Sequence, residues 1–402
     1  MHFRTNINPA VLKWARESAK LSVEQAAKKA GVKTERYMAW EDPDDEAKPT
    51  IRQLRTVSRA FHRPLSLFYL AEVPSGFQPM KDLRRLPSDG LLIYSPELAY
   101  EMELAQQRRE LSIDLTTAIG EQVAPFALRA SIDEDPEDVG RRIREALGIR
   151  FSDQVNWKRR GALEPFKAWR RAIEDLDVLV FQMSRVDSSE VCGFALAAEA
   201  RPMIVVNRKD VPNRRTFSLL HELAHLLLGQ SGASDLDVEA LRPSETQAAE
   251  VFCNAAAAAA LMPRERLLGI DVVQKHGTRS NAWRENDLRE LARTFGVSRE
   301  ALLRRLLTLN RTTSTYYNDK AEQWKDEWEE EQKRYRKQLQ DSDKEFIRNP
   351  PLDVFYELGR PFVRLVLDSM NANVMTLNEA SGHFGNLRLR HFSKLEQHVY
   401  TG

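Results

Sequence analysis

The chain is expected to be a mostly helical α+β protein in three parts: a five-helix module, a core built on a small sheet, and a helical carboxy-terminal region. Three observations predict this. Short, separately capped helical patterns follow one another over residues 8–70, three β-rich runs cluster between 177 and 207, and an apolar helix carrying two histidines and a glutamate comes next. The boundaries read from these patterns are 1–73 for the first module, 74–94 for a linker, 95–285 for the core and 286–402 for the last region.

Composition limits the functions before any motif is read. At 402 residues, 42% hydrophobic and 30% charged, the chain is long enough for about two or three domains. Its net charge of +1 is not that of a polycation built to coat nucleic acid, so any such role must be local. The only cysteines, Cys192 and Cys253, are far apart, which argues against a disulfide framework. The opening residues hold no signal-peptide core, and no run reaches the roughly 20 apolar residues of a membrane span. A cytoplasmic protein with no membrane partner is the expectation.

In the first module, Asn8-Pro9 opens a helix, Ser22 with Gln25 forms a capping box, and Gly31 stops the second helix. Thr50 with Gln53 caps a fourth helix, and Pro64 is expected to open a fifth. Leu12, Leu21, Val23, Ala27, Val32, Trp40, Ile51, Leu54, Val57 and Phe61 lie at core spacing. The stretch "AAKKAGVKTERYMAWE" has the Gly-containing turn of a helix-turn-helix, with residues 33–41 as the recognition helix. Over nearly its whole length this module resembles the DNA-binding domain of phage-repressor-like (XRE) regulators. The resemblance implies double-stranded DNA as a partner, with Lys33, Thr34 and Arg36 facing the groove and Lys28, Lys29 and Arg52 on phosphates. Thirteen Lys/Arg against eight Asp/Glu in residues 1–70 give modest support. The same module could instead bind protein.

A long helix from Ser95-Pro96 and helices near 136–147 and 162–175 are packing elements. Strands are expected at 177–183, 191–197 and 202–207, one of the last two offering its edge to an extended chain. The helix at 216–228, "TFSLLHELAHLLL", then places His221 and His225 four apart on one face, with Glu222 beside them. Two imidazoles so spaced can grip one metal ion while the glutamate acts as general base towards the attacking water. A pair of core histidines bonded to backbone is the alternative, and it leaves a buried glutamate to be accounted for.

A catalytic zinc site usually takes three protein ligands. Glu250 is the choice for the third, because Asn254 lies one turn on and can orient a ligand from the second layer. Glu245, followed by Ala249, is held second. The six alanines at 255–260 would let this helix lie close against the leucine-rich one. Cys253 reads as a buried small hydrophobe, or as a thiol competing for the metal.

"HELAH" followed about 25 residues on by "EVFCNAAAAAALMP" resembles the ImmA/IrrE family of zinc metallopeptidases, as does the strand pair in "GFALAAEARPMIVVN". The resemblance implies a zincin-like core with one catalytic zinc ion on His221, His225 and Glu250, and Glu222 as catalytic base. It implies a protein substrate, a repressor carrying its own helix-turn-helix, and roles in transcription under stress or in mobile elements. A second reading is a DNA-binding regulator or antitoxin-like protein with a toxin partner and a sensory or structural zinc site. A fourth protein ligand such as Cys253 would favour it. A homodimer fits either reading.

Beyond the core, "DLRELARTFGVSREALLRRLLTLN" at 287–310 is helix, Gly turn, Ser-capped helix. Residues 319–346 form a charged helix with Trp324, Trp328, Tyr335, Leu339 and Phe346 as a narrow stripe suited to one neighbour. After Asn349-Pro350-Pro351 comes a last helical unit with a Thr376/Glu379 capping box and a basic final helix. There packing is expected to outweigh contacts by Arg388, Arg390 and His391.

Overall fold

The amino-terminal helices begin and end where their caps dictate. In the computed structural model, α1 (Pro9–Ser18) is capped by the Asn8 side chain, and α2 (Val23–Ala30) by a reciprocal Ser22/Gln25 box. Gly31 closes α2 in the left-handed region at φ 69°, where a side chain would be strained. The helix α3 (Thr34–Glu41) follows, with Lys33 as its cap residue, and α4 (Ile51–Ala60) starts at a Thr50/Gln53 box. The expected fifth helix is instead a 3-10 turn at Leu65–Tyr69. Asn8 explains the difference: its backbone N–H takes the Phe68 carbonyl, and its side chain donates to the carbonyls of Leu70 and Ala71. Those acceptors are then lost to a continuing helix.

The structure describes residues 5–74, 95–157, 160–234, 244–340 and 349–400. Apart from Pro74, the expected linker lies outside them. Contacts divide the chain into Met1–Arg108 and Arg109–Gly402. In the first unit Leu12, Leu54, Val57, Trp40 and Phe61 are buried as expected, but Ile51, at the first turn of α4, is exposed. Tyr37 and Phe68 fill the core in its place. Arg16 of α1 holds Glu41 of α3 with two hydrogen bonds, 2.7 and 2.9 Å, fixing the end of α3. The long helix α5 (Pro96–Ala118) contains the division between the units.

The second unit begins with α6 (Pro136–Ala146), α7 (Phe151–Trp157) and α8 (Glu164–Glu174). Its sheet comprises β1 (Leu179–Met183), β2 (Gly193–Leu196), β3 (Met203–Asn207) and, after α9 (Pro212–Leu227), β4 (Gly232–Ser234). The order is β1-β3-β2-β4, with β1 parallel to β3 and β2 antiparallel to both of its neighbours. Three residues with no apolar pattern gave β4 no signal. The helix α9 starts four residues before the expected 216, because Pro212 in its first turn already has a helical φ.

Next come α10 (Ser244–Leu261), α11 (Arg264–Leu268), α12 (Asp271–His276), α13 (Glu285–Phe295) and α14 (Arg299–Thr308). The charged helix α15 (Ser314–Gln340) places Trp324 in the main core. The side chains of Trp328, Tyr335 and Leu339, and all of Phe346, lie outside the described residues. The final elements are α16 (Pro350–Leu358), α17 (Arg360–Asn371), α18 (Leu377–His383) and α19 (Phe392–Tyr400). No helix among the described residues is long and apolar enough to cross a membrane.

Neither β2 nor β3 has a free edge, contrary to expectation, since each is paired on both sides. The outer side of β1 lies against α16, and the Tyr356 carbonyl there accepts from Arg170 and Gln182, both at 2.6 Å. Among the described residues β1 and β4 are the two edge strands, and the edge of β4 pairs with no further strand.

Candidate metal centre

The helix α9 is buried on nearly all sides: Leu219, Leu220, Leu223 and Ala224 are fully enclosed between the sheet, α8 and α10. Each such leucine contributes on the order of 2 kcal/mol of burial, which sets the roll of the helix. That roll turns His221 and His225 towards α10 and Glu222 towards β2. A methyl group at Gly193 would stand 3.3 Å from both Cγ and Oε1 of Glu222, so the strand passes directly over the carboxylate.

The third element, α10, is fixed by its packing and by its last carbonyls. Small residues do permit a close approach, but the tightest is to α6, where a methyl group at Gly140 would lie 2.6 Å from Ala259 Cβ and 2.7 Å from Ala260 N. The expectation that the alanines serve contact with the leucine-rich helix is therefore only half of the matter, since α10 packs on both α6 and α9. Its end carbonyls, which no further helical turn can satisfy, are taken by three buried side chains. Arg144 donates to Ala260 O at 2.8 Å, Gln154 to Leu261 O at 2.8 Å and Arg305 to Met262 O at 3.1 Å. Cations and amides at this end also complement the helix dipole.

With both helices fixed, His221, His225 and Glu250 converge, and all three are buried. His221 Nε2 lies 3.1 Å from His225 Nε2 and 3.2 Å from Glu250 Oε2, and His225 Nε2 lies 3.6 Å from Glu250 Oε1. Donors held about 2.0–2.1 Å from one tetrahedral ion stand roughly 3.3 Å apart, so the spacing suits a single metal. Cys253 is buried, in no disulfide and hydrogen-bonded to His225, but it is not one of the three converging donors.

The electrostatics favour a cation at this point. Burial pushes the His221 imidazole down, further than its hydrogen bond with Glu250 raises it, leaving a neutral donor. Burial also lowers His225, but its hydrogen-bonding contact with Cys253, together with Glu250 and Glu222, reverses the sign and raises it. Burial raises the Cys253 thiol, more than its hydrogen bond with His225 lowers it. Burial would raise Glu250, yet the hydrogen bonds with His221 and His225 hold it well below the usual carboxylate range. Asn254, half-buried one turn from Glu250, bears on His221 as well.

The residues chosen from the sequence are thus brought together: His221, Glu222, His225, Glu250 and Asn254. The side chain of Glu245, the second choice for the third ligand, lies outside the described residues. The groove and phosphate candidates of the first unit are not near this cluster in sequence or unit. Lys33, Arg36, Lys28, Lys29 and Arg52 are exposed and Thr34 is half-buried, with Lys29 3.9 Å from Glu97. Sequence reasoning missed Gly193 and Gly140. A glycine inside a strand or helix pattern is the signal that would have found them.

Residues 173–307, which hold every member of the cluster, match the peptidase family model described as the IrrE N-terminal-like domain. The chain is also similar to the radiation response metalloprotease IrrE of Deinococcus deserti, 38% identical over 103 residues, which is 25% of this chain and 34% of that protein. It therefore spans about a third of the length of the curated relative it matches. The matched segment contains the strands β1 to β3, the α9 cluster and its partner helix, so the likeness to the IrrE N-terminal-like peptidase domain is a likeness of residues 173–307.

Proposed function

We propose that this chain is a zinc-dependent endopeptidase whose substrate is a regulatory protein, with a helix-turn-helix module that brings it to double-stranded DNA. The observation that carries the peptidase reading is the convergence of two imidazoles and one carboxylate at 3.1–3.6 Å beside the buried Glu222. His221, His225 and Glu250 would hold the ion, which when bound supplies Lewis-acid polarisation of a peptide carbonyl. Glu222 takes the proton of the attacking water and passes it to the leaving amine. Leu219, Leu220 and Leu223 exclude bulk water from behind the site and keep the carboxylate aimed. Asn254 positions the ligands from the second layer.

An extended substrate would pair along β4, an edge that no further strand pairs with among the described residues. A repressor carrying its own helix-turn-helix is the substrate class that suits a protease already equipped to reach an operator. The relative's printed name, a radiation response metalloprotease, supports a stress-linked role. Among the described residues three donors converge, the number a catalytic zinc site usually takes, which supports catalysis over a closed structural site.

The test is to incubate the zinc-loaded chain with candidate repressors and follow cleavage by mass spectrometry, alongside Glu222→Gln. Loss of a general base is expected to lower kcat by about 10²–10⁴-fold. Cleavage that survives unchanged in Glu222→Gln, or no cleavage of any candidate, would refute the reading.

A further inference from the structure

Residues 376–400 form a helix-turn-helix that the peptidase reading does not use. A capping box of Thr376 and Glu379 starts α18, and the chain then turns through Gly385 and Asn386, both at positive φ, 68° and 62°. A single 3-10 turn, Leu389–His391, leads directly into α19. The inner face is a small core of Ala380, Phe384, Leu387, Phe392, Leu395 and Val399, with the Phe384 and Phe392 rings 5.7 Å apart. It is backed by α17 and, through α19, by α16. The orientation of the second helix is therefore fixed by packing on one side only.

The other side faces solvent and is basic. Arg388, Arg390, Ser393, Lys394 and Gln397 are exposed, with Arg390, Lys394 and Gln397 following one another at helical spacing. Between Ala380 and Leu395 the sequence contains no Asp or Glu. Among the described residues no ion pair engages Arg388, Arg390 or Lys394. The acids nearby lie elsewhere: Glu379 is held at the start of α18, and Glu396 sits half-buried on α19. Burial and then Arg390, Lys394 and Arg388 all lower the pKa of His391, so every charged neighbour acting on it is a cation.

We propose that residues 376–400 are a duplex-DNA-binding surface in their own right, with Arg388, Arg390 and Lys394 on backbone phosphates and Ser393 and Gln397 facing base edges. The charge decides for DNA over a protein partner. Three cations crowded at the start of one exposed helix repel one another, and a duplex, with one negative charge per about 1.7 Å, is the dense anion that relieves this. The placement also matches the way a second helix of such a unit enters the major groove by its amino-terminal residues. None of this depends on the peptidase reading.

The test measures binding of the full-length chain to a fluorescent 25-base-pair duplex as salt is raised. It compares the wild type with R388A/R390A/K394A, each alone and combined with Arg36→Ala. These side chains are exposed, so far-UV circular dichroism and the melting midpoint should not change. Losing three phosphate contacts is expected to reduce the slope of log K against log salt by about 2.7, with affinity falling roughly tenfold or more near 0.15 M salt. R388K/R390K should keep the slope. An unchanged slope and affinity in the triple variant would overturn the proposal. So would a wild type that fails to bind duplex at low salt, or a triple variant that binds DNA normally and loses only a protein complex.

Discussion

A methyl group at position 193 would stand 2.9 Å from Val205 O and 3.3 Å from Glu222 Cγ and Oε1, so only glycine lets the strand pass the carboxylate proposed as the base without a shift. Gly193→Ala is expected to displace the carboxylate by a few tenths of an ångström or more. A misplacement of about 1 Å can cost on the order of 10²-fold in rate, so kcat should fall between about 10- and 100-fold while the metal stays bound. Unchanged kcat would mean that the strand does not position Glu222. The convergence of His221, His225 and Glu250 was legible in the sequence because titratable residues are costly to bury among leucines without a purpose. Gly193 was not legible, since its role is a space left empty, and spacing along the chain does not reveal what crosses above it. Ile51 was misread for a related reason: helical periodicity marks a face, but the first turn of a helix can splay that face into solvent.

At the scale of elements, the site depends on how closely α10 approaches α6. A methyl group on Gly140 would meet the Ala260 backbone nitrogen at 2.7 Å. Replacing glycine by alanine in a helix gains up to about 1 kcal/mol of propensity, whereas overpacking a fixed backbone costs about 1–3 kcal/mol. The clash wins, and Gly140→Ala should lower the melting midpoint. Gly382 in α18 has nothing within 4 Å, so Gly382→Ala should raise stability by up to about 1 kcal/mol. Thermal denaturation of both variants checks this contrast, and a stabilised Gly140→Ala would contradict the packing described. Most helices were readable from their capping boxes and periodicity, as at Ser22, Thr50 and Thr376. The 3-10 turn after Pro64, the short α7 and three-residue β4 were not. They are decided by distant partners, such as the Asn8 side chain on Leu70 and Ala71, and not by local pattern.

At the scale of the whole molecule, the second unit joins elements far apart in sequence. Gly359, at φ 79°, brings the start of α17 against the buried Arg170–Glu174 pair of α8, and Phe362 meets Phe181 of β1 edge to face at 5.6 Å. The sheet's β1 side is thereby closed by the carboxy-terminal helices, which leaves the opposite edge for the extended substrate proposed above. Composition and motif order made the succession of helical module, small sheet and metal helix readable. How the last region returns to cover the sheet depends on contacts between residues far apart in sequence, Gly359 among them, and could not be read from periodicity.

Everything proposed for the peptidase rests on one ion held by His221, His225 and Glu250, and its most direct measurement is metal content per chain after zinc loading and gel filtration. One ion per chain is expected for the wild type and for Glu222→Gln, and much less than one for Glu250→Ala. Full occupancy in Glu250→Ala would show that the third ligand lies elsewhere, and loss of metal in Glu222→Gln would show that this glutamate holds the ion instead of moving protons.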